Sequence, residues 1–550
     1  MKKVAVFGAG VAGLTVAHEF VRLGYTVVVY EANKQAGGFF RSARNSGDHM
    51  PSEYSWHGLG PWYHNVFDIM KQVPFDLTGS IYDKGLSRPV LFAVAPDEIR
   101  SDCDDSYLFD KPKSFRMTWW DKIMLGWLLL KTWTANRRSF EQYARLNAYE
   151  QWQSVMSEQG AKTWRSIFGP WVGSDWTNVS LHQVGQFFRK CIMSGPSHAH
   201  KADDQGPEWT HGGSDCWLLL RAPSNECWFD RWVAHLQQQG VTFFWEQKLR
   251  SFDFDGTHIT AAHLESGVVV HADVYVLAVT PFAAAEILRH TPDLAKKDQL
   301  RLFESLIQDG PHTQVSFRIG FSEKILWPIE RAAVIAADSE FNITLFAQEQ
   351  VWSSDVILGD GIASLWTGTA CVAREPGRVY GLPLMHCTKE QFIEEVLTQL
   401  RDCQGLDFLI RQANSGRGFG SFPIVKIEVW HEWLFSPEGI KPRQPKWVNT
   451  TNTQPYLPTQ KTPVPNLVIA GAHTQTTADL WSIEAAVESG RLAVKVIEPE
   501  VIVISQYKAL PLRIVSTIDD ICFAIGAPHI LDIVVIGVAI ALVVVIVKNM

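Results

Sequence analysis

Lys3-Val4-Ala5-Val6-Phe7-Gly8-Ala9-Gly10-Val11-Ala12-Gly13-Leu14-Thr15-Val16-Ala17-His18-Glu19-Phe20 opens the chain with an apolar β-type run, a glycine turn and a helical pattern in unbroken succession. This is the setting in which G-x-G-x-x-G signifies dinucleotide binding. Gly8 permits the tight turn, Gly10 lets the backbone approach a pyrophosphate, and Gly13 lets helix and strand pack closely. Val11 and Ala12 begin the helix, where unpaired N–H groups and the macrodipole favour anions. A second strand, Tyr25 to Tyr30, ends in Glu31. That acid stands roughly 20 residues beyond the first glycine, where it can accept from a ribose hydroxyl.

A chain of 550 residues exceeds what one core supports, so at least two domains are expected. With 46% hydrophobic and 20% charged residues the composition is that of a globular protein. The net charge of −8, without a long basic run, argues against nucleic acid as a partner. The eight cysteines are scattered and form no C-x-x-C pair, which suits free thiols in a reducing compartment and no zinc site. Met1-Lys2-Lys3 precedes an apolar run, but the glycines interrupt it, so no cleaved signal is expected. The 22 tryptophans fit either an apolar cavity, a membrane face or simply a tryptophan-rich core.

Further along, Gly37-Gly38 followed by Arg41 offers a second close backbone approach to a phosphate, with a cation beside it. Together, Gly8/Gly10/Gly13, Glu31 and Gly37-Gly38 resemble the flavoprotein superfamily of amine oxidases and phytoene desaturases. The resemblance implies FAD as the bound dinucleotide. It departs from the family pattern where Phe39-Phe40 separate the glycine pair from Arg41. It also implies that the small-residue segment with Gly58 and Gly60 runs along the flavin, with Trp56, His57, Trp62 and Tyr63 facing substrate. A returning segment would place the Leu249 backbone at the adenine and end a strand at Ala278 and Thr280 close to the cofactor. The third segment, Pro465 to Thr474 followed by the helix opening at Leu480, would cap the flavin through Gly471, Ala472, Ile483, Glu484 and Ala485. Ala472 stands where many members carry an acid. Trp481 is the expected aromatic wall beside the ring, with Trp56 and His57 as further catalytic candidates. No metal site is expected.

The fold implied is α/β: a discontinuous Rossmann-type FAD-binding domain (1–84, 208–282 and 462–500) with an α+β substrate domain (85–207 and 283–461). Residues 501–529 would be a linker. Ile533 to Val547 is uncharged and apolar, and counting from Ile530 it approaches the minimum of about 17 residues for a spanning helix. A single-pass C-terminal anchor at 530–547, with the enzyme domain on the cytoplasmic side, is therefore expected. Thr118 to Trp133 reads as either an interfacial helix on a bilayer or a buried helix.

Hydride transfer to flavin N5 needs no nucleophile or metal, and no G-x-S-x-G or H-E-x-x-H occurs. The resulting expectation is a membrane-anchored FAD-dependent oxidoreductase acting on an apolar, isoprenoid-, carotenoid- or lipid-like substrate, with membrane lipid as neighbour. The alternatives are an oxidase of an aliphatic amine with oxygen as acceptor, and an FAD-binding scaffold without turnover.

Overall fold

The computed structural model describes residues 2–55, 57–87, 90–94, 117–168, 176–193, 217–328, 332–336 and 339–549. Five parallel strands form one sheet in the spatial order Thr242–Phe244, Thr26–Tyr30, Lys3–Phe7, Val274–Leu277, Leu467–Ile469. Their near-continuous Val/Ile/Leu/Tyr content is what a sheet covered on both faces requires. The strand period of two sends Val4, Val6, Val27, Val29, Val274 and Val276 into the core on one face. Ala5, Phe7, Val28, Tyr30, Tyr275 and Leu277 go to the core on the other.

Helix α1 (Val11–Arg22) follows the first strand without a side-chain cap, since Gly10 occupies the N-cap. A six-stranded sheet forms the second layer system, ordered Ile424–Val429, Val315–Phe321, Ser364–Ala370, Ile343–Ala347, Ala332–Ala336, Val90–Val94. It is antiparallel except for its last pair. Every residue of Val315–Phe321 and Ser364–Ala370 is buried, so this sheet carries the second core.

The returning segment opens with a π-helical turn, Asn225–Phe229, and continues as the helix Asp230–Gln238. The wide turn lets Asn225 accept from Ser42 N–H at 2.8 Å and donate to Ala36 O at 3.2 Å, tying the segment to the first domain. Trp228 stacks on Trp232 at 5.6 Å. Eight tryptophans (62, 152, 164, 228, 232, 366, 430 and 447) are among the largest fully buried side chains, so the core reading accounts for much of the tryptophan content.

Helix α2 (Trp119–Trp133) starts in a capping box between Thr118 and Asp121. Its Leu125, Leu129 and Thr132 are buried, the last against Gly185, where a Cβ would come within 2.1 Å of Thr132 Oγ1. Its partner is α3 (Leu181–Ile192). Six of the fifteen residues of α2 are buried, while Trp119, Trp120 and Ile123 in its first turns stay exposed.

Helix α4 (Ile483–Ile497) packs along α1, and its Gly490 allows the contact: a Cβ there would meet Ala12 O at 2.8 Å. Arg491, 2% exposed, donates to Glu19 at 2.9 Å and Asn65 at 3.2 Å, and also pairs with Asp68. Beyond it, residues expected to be linker form α5 (Leu510–Ala524), and α6 (Ile530–Asn549) ends the chain.

The expected span at 530–547 is thus helical, but among the described residues no helix is long and apolar enough to cross a membrane. The side chains at 543, 544 and 546–550 lie outside the described residues. The continuous stretch that is described, Ile530–Leu542, is shorter than the roughly 17 residues a span requires. The six described cysteines are free thiols.

Arg491→Met should lower the unfolding free energy by about 3 kcal/mol, because it takes the buried cation from Glu19, leaving it only the more exposed Arg22, and from half-buried Asp68. Denaturant titration checks this, and a loss under about 1 kcal/mol would contradict it.

Candidate active site

A cavity of about 610 Å³ runs from the first glycine turn to the start of α4. Its floor is set by two contacts too close for any side chain. Gly8, at φ +107°, lies so near the returning strand that a Cβ would be 2.4 Å from Ala278 O. A Cβ on Gly13 would be 1.9 Å from Gly8 O. Gly10 faces Gly38, whose φ of +58° turns the second glycine segment over the N-terminus of α1. Gly37, at φ +115°, donates to Ala9 O at 2.9 Å and locks that segment in place.

Glu31 accepts from Ala9 N–H at 2.6 Å and from Asn33 through N–H at 2.8 Å and Nδ2 at 2.6 Å. A carboxylate offers about four lone-pair sites, so capacity for a ribose hydroxyl remains. Gly8, Gly10, Val11, Ala12, Glu31, Gly37, Gly38, Leu249 and Ala278 all line this end of the cavity.

At the other end lie His57, Gly58, Gly471, Ala472, Trp481 and Ile483. His57 and His473 line the wall, and the Nδ1 of the first and the Nε2 of the second are buried with no partner among the described residues. Burial, assisted for His57 by Lys446 and Arg318, pushes both imidazoles down to about 3, so both are neutral at pH 7. Such orphaned polar atoms, together with a glycine cradle and an uncapped helix N-terminus, suit a large polar dinucleotide.

Several expected contacts point elsewhere. Arg41 is turned into a buried pair with Glu432 at 3.0 Å, and donates to Gly38 O and Gln444 at 2.8 Å each. Its cation therefore serves the link between Gly38 and residues 432–444, and it does not line the cavity. Gly60 packs on the Trp62 ring, where a Cβ would fall 2.7 Å from Nε1. Glu484 faces away, accepting from Asn65 N–H at 3.0 Å, Asn65 Nδ2 at 2.7 Å and Val66 N–H at 3.0 Å. Burial raises its carboxyl to about 8. The Ala485 N–H is taken by the N-cap hydroxyl of Ser482 at 3.1 Å. Gly13 supports the turn from behind. Trp56 lies outside the described residues.

The structure adds residues that no motif marked. Lys446 and Gln314 line the cavity and bond each other at 2.6 Å, and Gln314 continues to Cys371 Sγ at 3.3 Å. Burial lowers the Lys446 ammonium to about 8. Its neighbour Trp447 meets Trp481 edge to face at 5.5 Å, and Phe39 meets Trp481 at 6.3 Å. The only hint in the sequence was a lysine between Pro445 and a tryptophan.

The loop that delivers Trp481 is clamped from α3 and α4. Asp479, at φ +48°, accepts from His182 Nε2 at 2.7 Å. Lys190 Nζ donates to Ala478 O, and Glu488 accepts the N–H groups of Thr477 at 2.6 Å and Ala478 at 2.8 Å. Burial brings Lys190 down to about 7.

Comparison with known proteins bears on this geometry. No curated protein sequence matches the chain. In fold it is similar to putrescine oxidase bound to putrescine, at 13% identity and a TM-score of 0.61, covering 90% of this chain and 99% of that one. An oxidoreductase from Methanosarcina mazei aligns at 14% identity and a TM-score of 0.59, over 90% and 100% of the two chains. A protoporphyrinogen oxidase-like protein from Exiguobacterium aligns at 14% identity and a TM-score of 0.55, over 91% and 98%. Residues 11–497 match the flavin-containing amine oxidoreductases, and the chain is an FAD-dependent oxidoreductase of that family.

Proposed function

We propose that this flavoenzyme removes a hydride from an apolar, uncharged substrate of isoprenoid, carotenoid or lipid type, at a membrane surface. The observation that carries the reading is the distribution of charge along the cavity. Its carboxylates, among the described lining residues, are Glu31 and Glu286, grouped with Leu249 and Lys248 at the adenine end. Around Trp481 the lining offers Lys446, neutral His57 and His473, and the rings of Phe39, Tyr54 and Trp217. Among the described residues, an aliphatic ammonium would meet a lysine there and no counter-ion, whereas a hydrocarbon would meet aromatic faces.

When bound, FAD supplies the hydride acceptor; the chain supplies the rest. Gly8, Gly10, Gly38 and Glu31 would hold the adenosine and pyrophosphate. Trp481 and Phe39 would orient the substrate and exclude water. Lys446 is the group suited to accept a proton released as the substrate C–H is oxidised, since burial brings its amine within reach of neutral pH. The exposed apolar side chains along α6, from Ile533 to Leu542, support a tail that enters a bilayer. Membrane association of the enzyme domain through 530–547 belongs to this proposal.

The second reading, oxidation of an aliphatic amine with oxygen as acceptor, is favoured by the family match and by the fold shared with putrescine oxidase.

Purified full-length protein, mixed anaerobically with polyene, isoprenoid and amine panels, tests the choice through bleaching of its flavin absorbance. Bleaching by apolar compounds is expected, and bleaching by amines alone, with peroxide formed on readmitting oxygen, would overturn the reading. The charged form of Lys446 dominates below about pH 8, so bleaching should accelerate as pH rises through about 8 and then level off. Lys446→Met should remove that limb and slow the step by about 10²–10⁴-fold. An unchanged pH profile would contradict the assignment. The tail proposal expects the chain to stay with membranes through an alkaline carbonate wash, and release into the supernatant would contradict it.

A further inference from the structure

Helix α5 is inside out for a helix in water. Its buried face is ionic. Asp519, fully buried, accepts from Arg138 Nε at 3.0 Å and Nη2 at 3.2 Å, and from Ile530 N–H at 3.1 Å. Ser516 accepts from Lys508 at 2.7 Å, and Asp520 accepts from Arg137 N–H at 2.9 Å. Arg138 also lies over the Phe523 ring at 4.9 Å.

The opposite face is aliphatic and open. Leu510, Ile514, Ile518, Ile521 and Ile525 are 63%, 53%, 43%, 61% and 75% exposed. At 3.6 residues per turn these five positions fall within about 80° of arc, a single stripe along all four turns. Asp519 and Ser516 lie on the far side of the same wheel. Water-facing helices place such groups the other way round, because each buried ion costs several kcal/mol of desolvation and each exposed isoleucine forgoes its burial. Arg138 and Asp519 hold the helix in an orientation that water alone would not select.

We propose that α5 lies in the interface of one membrane leaflet, its Leu510–Ile525 stripe among the upper acyl chains. The bilayer is the occupant because the stripe runs directly into α6 across residues 526–529, and the described side chains of α6 from Ile533 to Leu542 are themselves largely exposed and apolar. Helix α6 leaves the stripe uncovered. Arg513, exposed at the edge of the stripe, is placed for an anionic headgroup. An interfacial helix need not span, and a depth of about 5–10 Å suffices. The enzyme domain then rests on the membrane at a second point, fixed rigidly by the Arg138–Asp519 pair instead of swinging from a flexible tether. This inference rests on the membrane part of the proposed function and on none of its chemistry.

The test uses the full chain in vesicles of phosphatidylcholine and phosphatidylserine containing a phosphatidylcholine with an acyl-chain diazirine. After irradiation, lipid adducts are mapped on peptides by mass. Adducts in both 510–525 and 530–549 are expected. The I514E/I521E variant should lose those in 510–525 and keep those in 530–549 and its flavin colour. Adducts confined to 530–549 in the unsubstituted protein would overturn the inference while leaving the tail anchor standing. Absence of adducts in both peptides would overturn the two together. If the double variant lost its colour, the single variant I521E would carry the comparison, and undiminished adducts in 510–525 would count against the proposal.

Discussion

The whole arrangement depends on how closely the backbone at Gly8 approaches its neighbours. Gly8 N–H donates to Tyr30 O at 2.8 Å, its Cα side faces Ala278 O, and its carbonyl fills the space where Gly13 would carry a Cβ. Three elements meet there with no side chain between them: the first strand, the returning strand and α1. That closeness brings the uncapped first turn of α1 to the carboxyl edge of the parallel sheet, which is where open α/β sheets bind ligands. Leu249, Ala278, Gly471 and Trp481 reach the same edge from distant parts of the chain, so one cavity is assembled from segments separated by up to some hundreds of residues.

The second consequence concerns rigidity. Trp481 sits on a loop rather than a regular element, and loops need outside support to hold a side chain in place. That support comes from α3 and α4 through His182, Lys190 and Glu488. Helix α3, packed on α2, is thus tied to the loop that carries Trp481, and Arg138, a few residues beyond α2, holds α5. The site and α5 are supported by one block of structure.

How much of this could be read from the sequence varied with range. The strand–turn–helix at Lys3–Phe20 and the acid at Glu31 were legible because local spacing and backbone requirements specify them. The strand at Val274–Leu277 was legible for the same reason. Arg41 was misread because a cation beside glycines looks the same whether it faces a phosphate or a buried glutamate 391 residues away. Glu484 and Ala485 sit at the helix start as expected, but helical geometry turns the acid toward Asn65 and a cap occupies the alanine N–H. Lys446 went unnoticed because nothing local distinguishes a lysine that will be buried beside Gln314 from one that will be solvated. The polarity of α5 was likewise hidden: its isoleucine stripe is visible in sequence, but only the fold shows that the stripe faces outward.

The most direct test of the account is a diffraction structure of the purified, yellow protein. It should show FAD with its adenosine ribose on Glu31 and its ring system beside Trp481 and Lys446. Density placing the flavin ring away from those two residues, or a dinucleotide lacking a flavin, would contradict it.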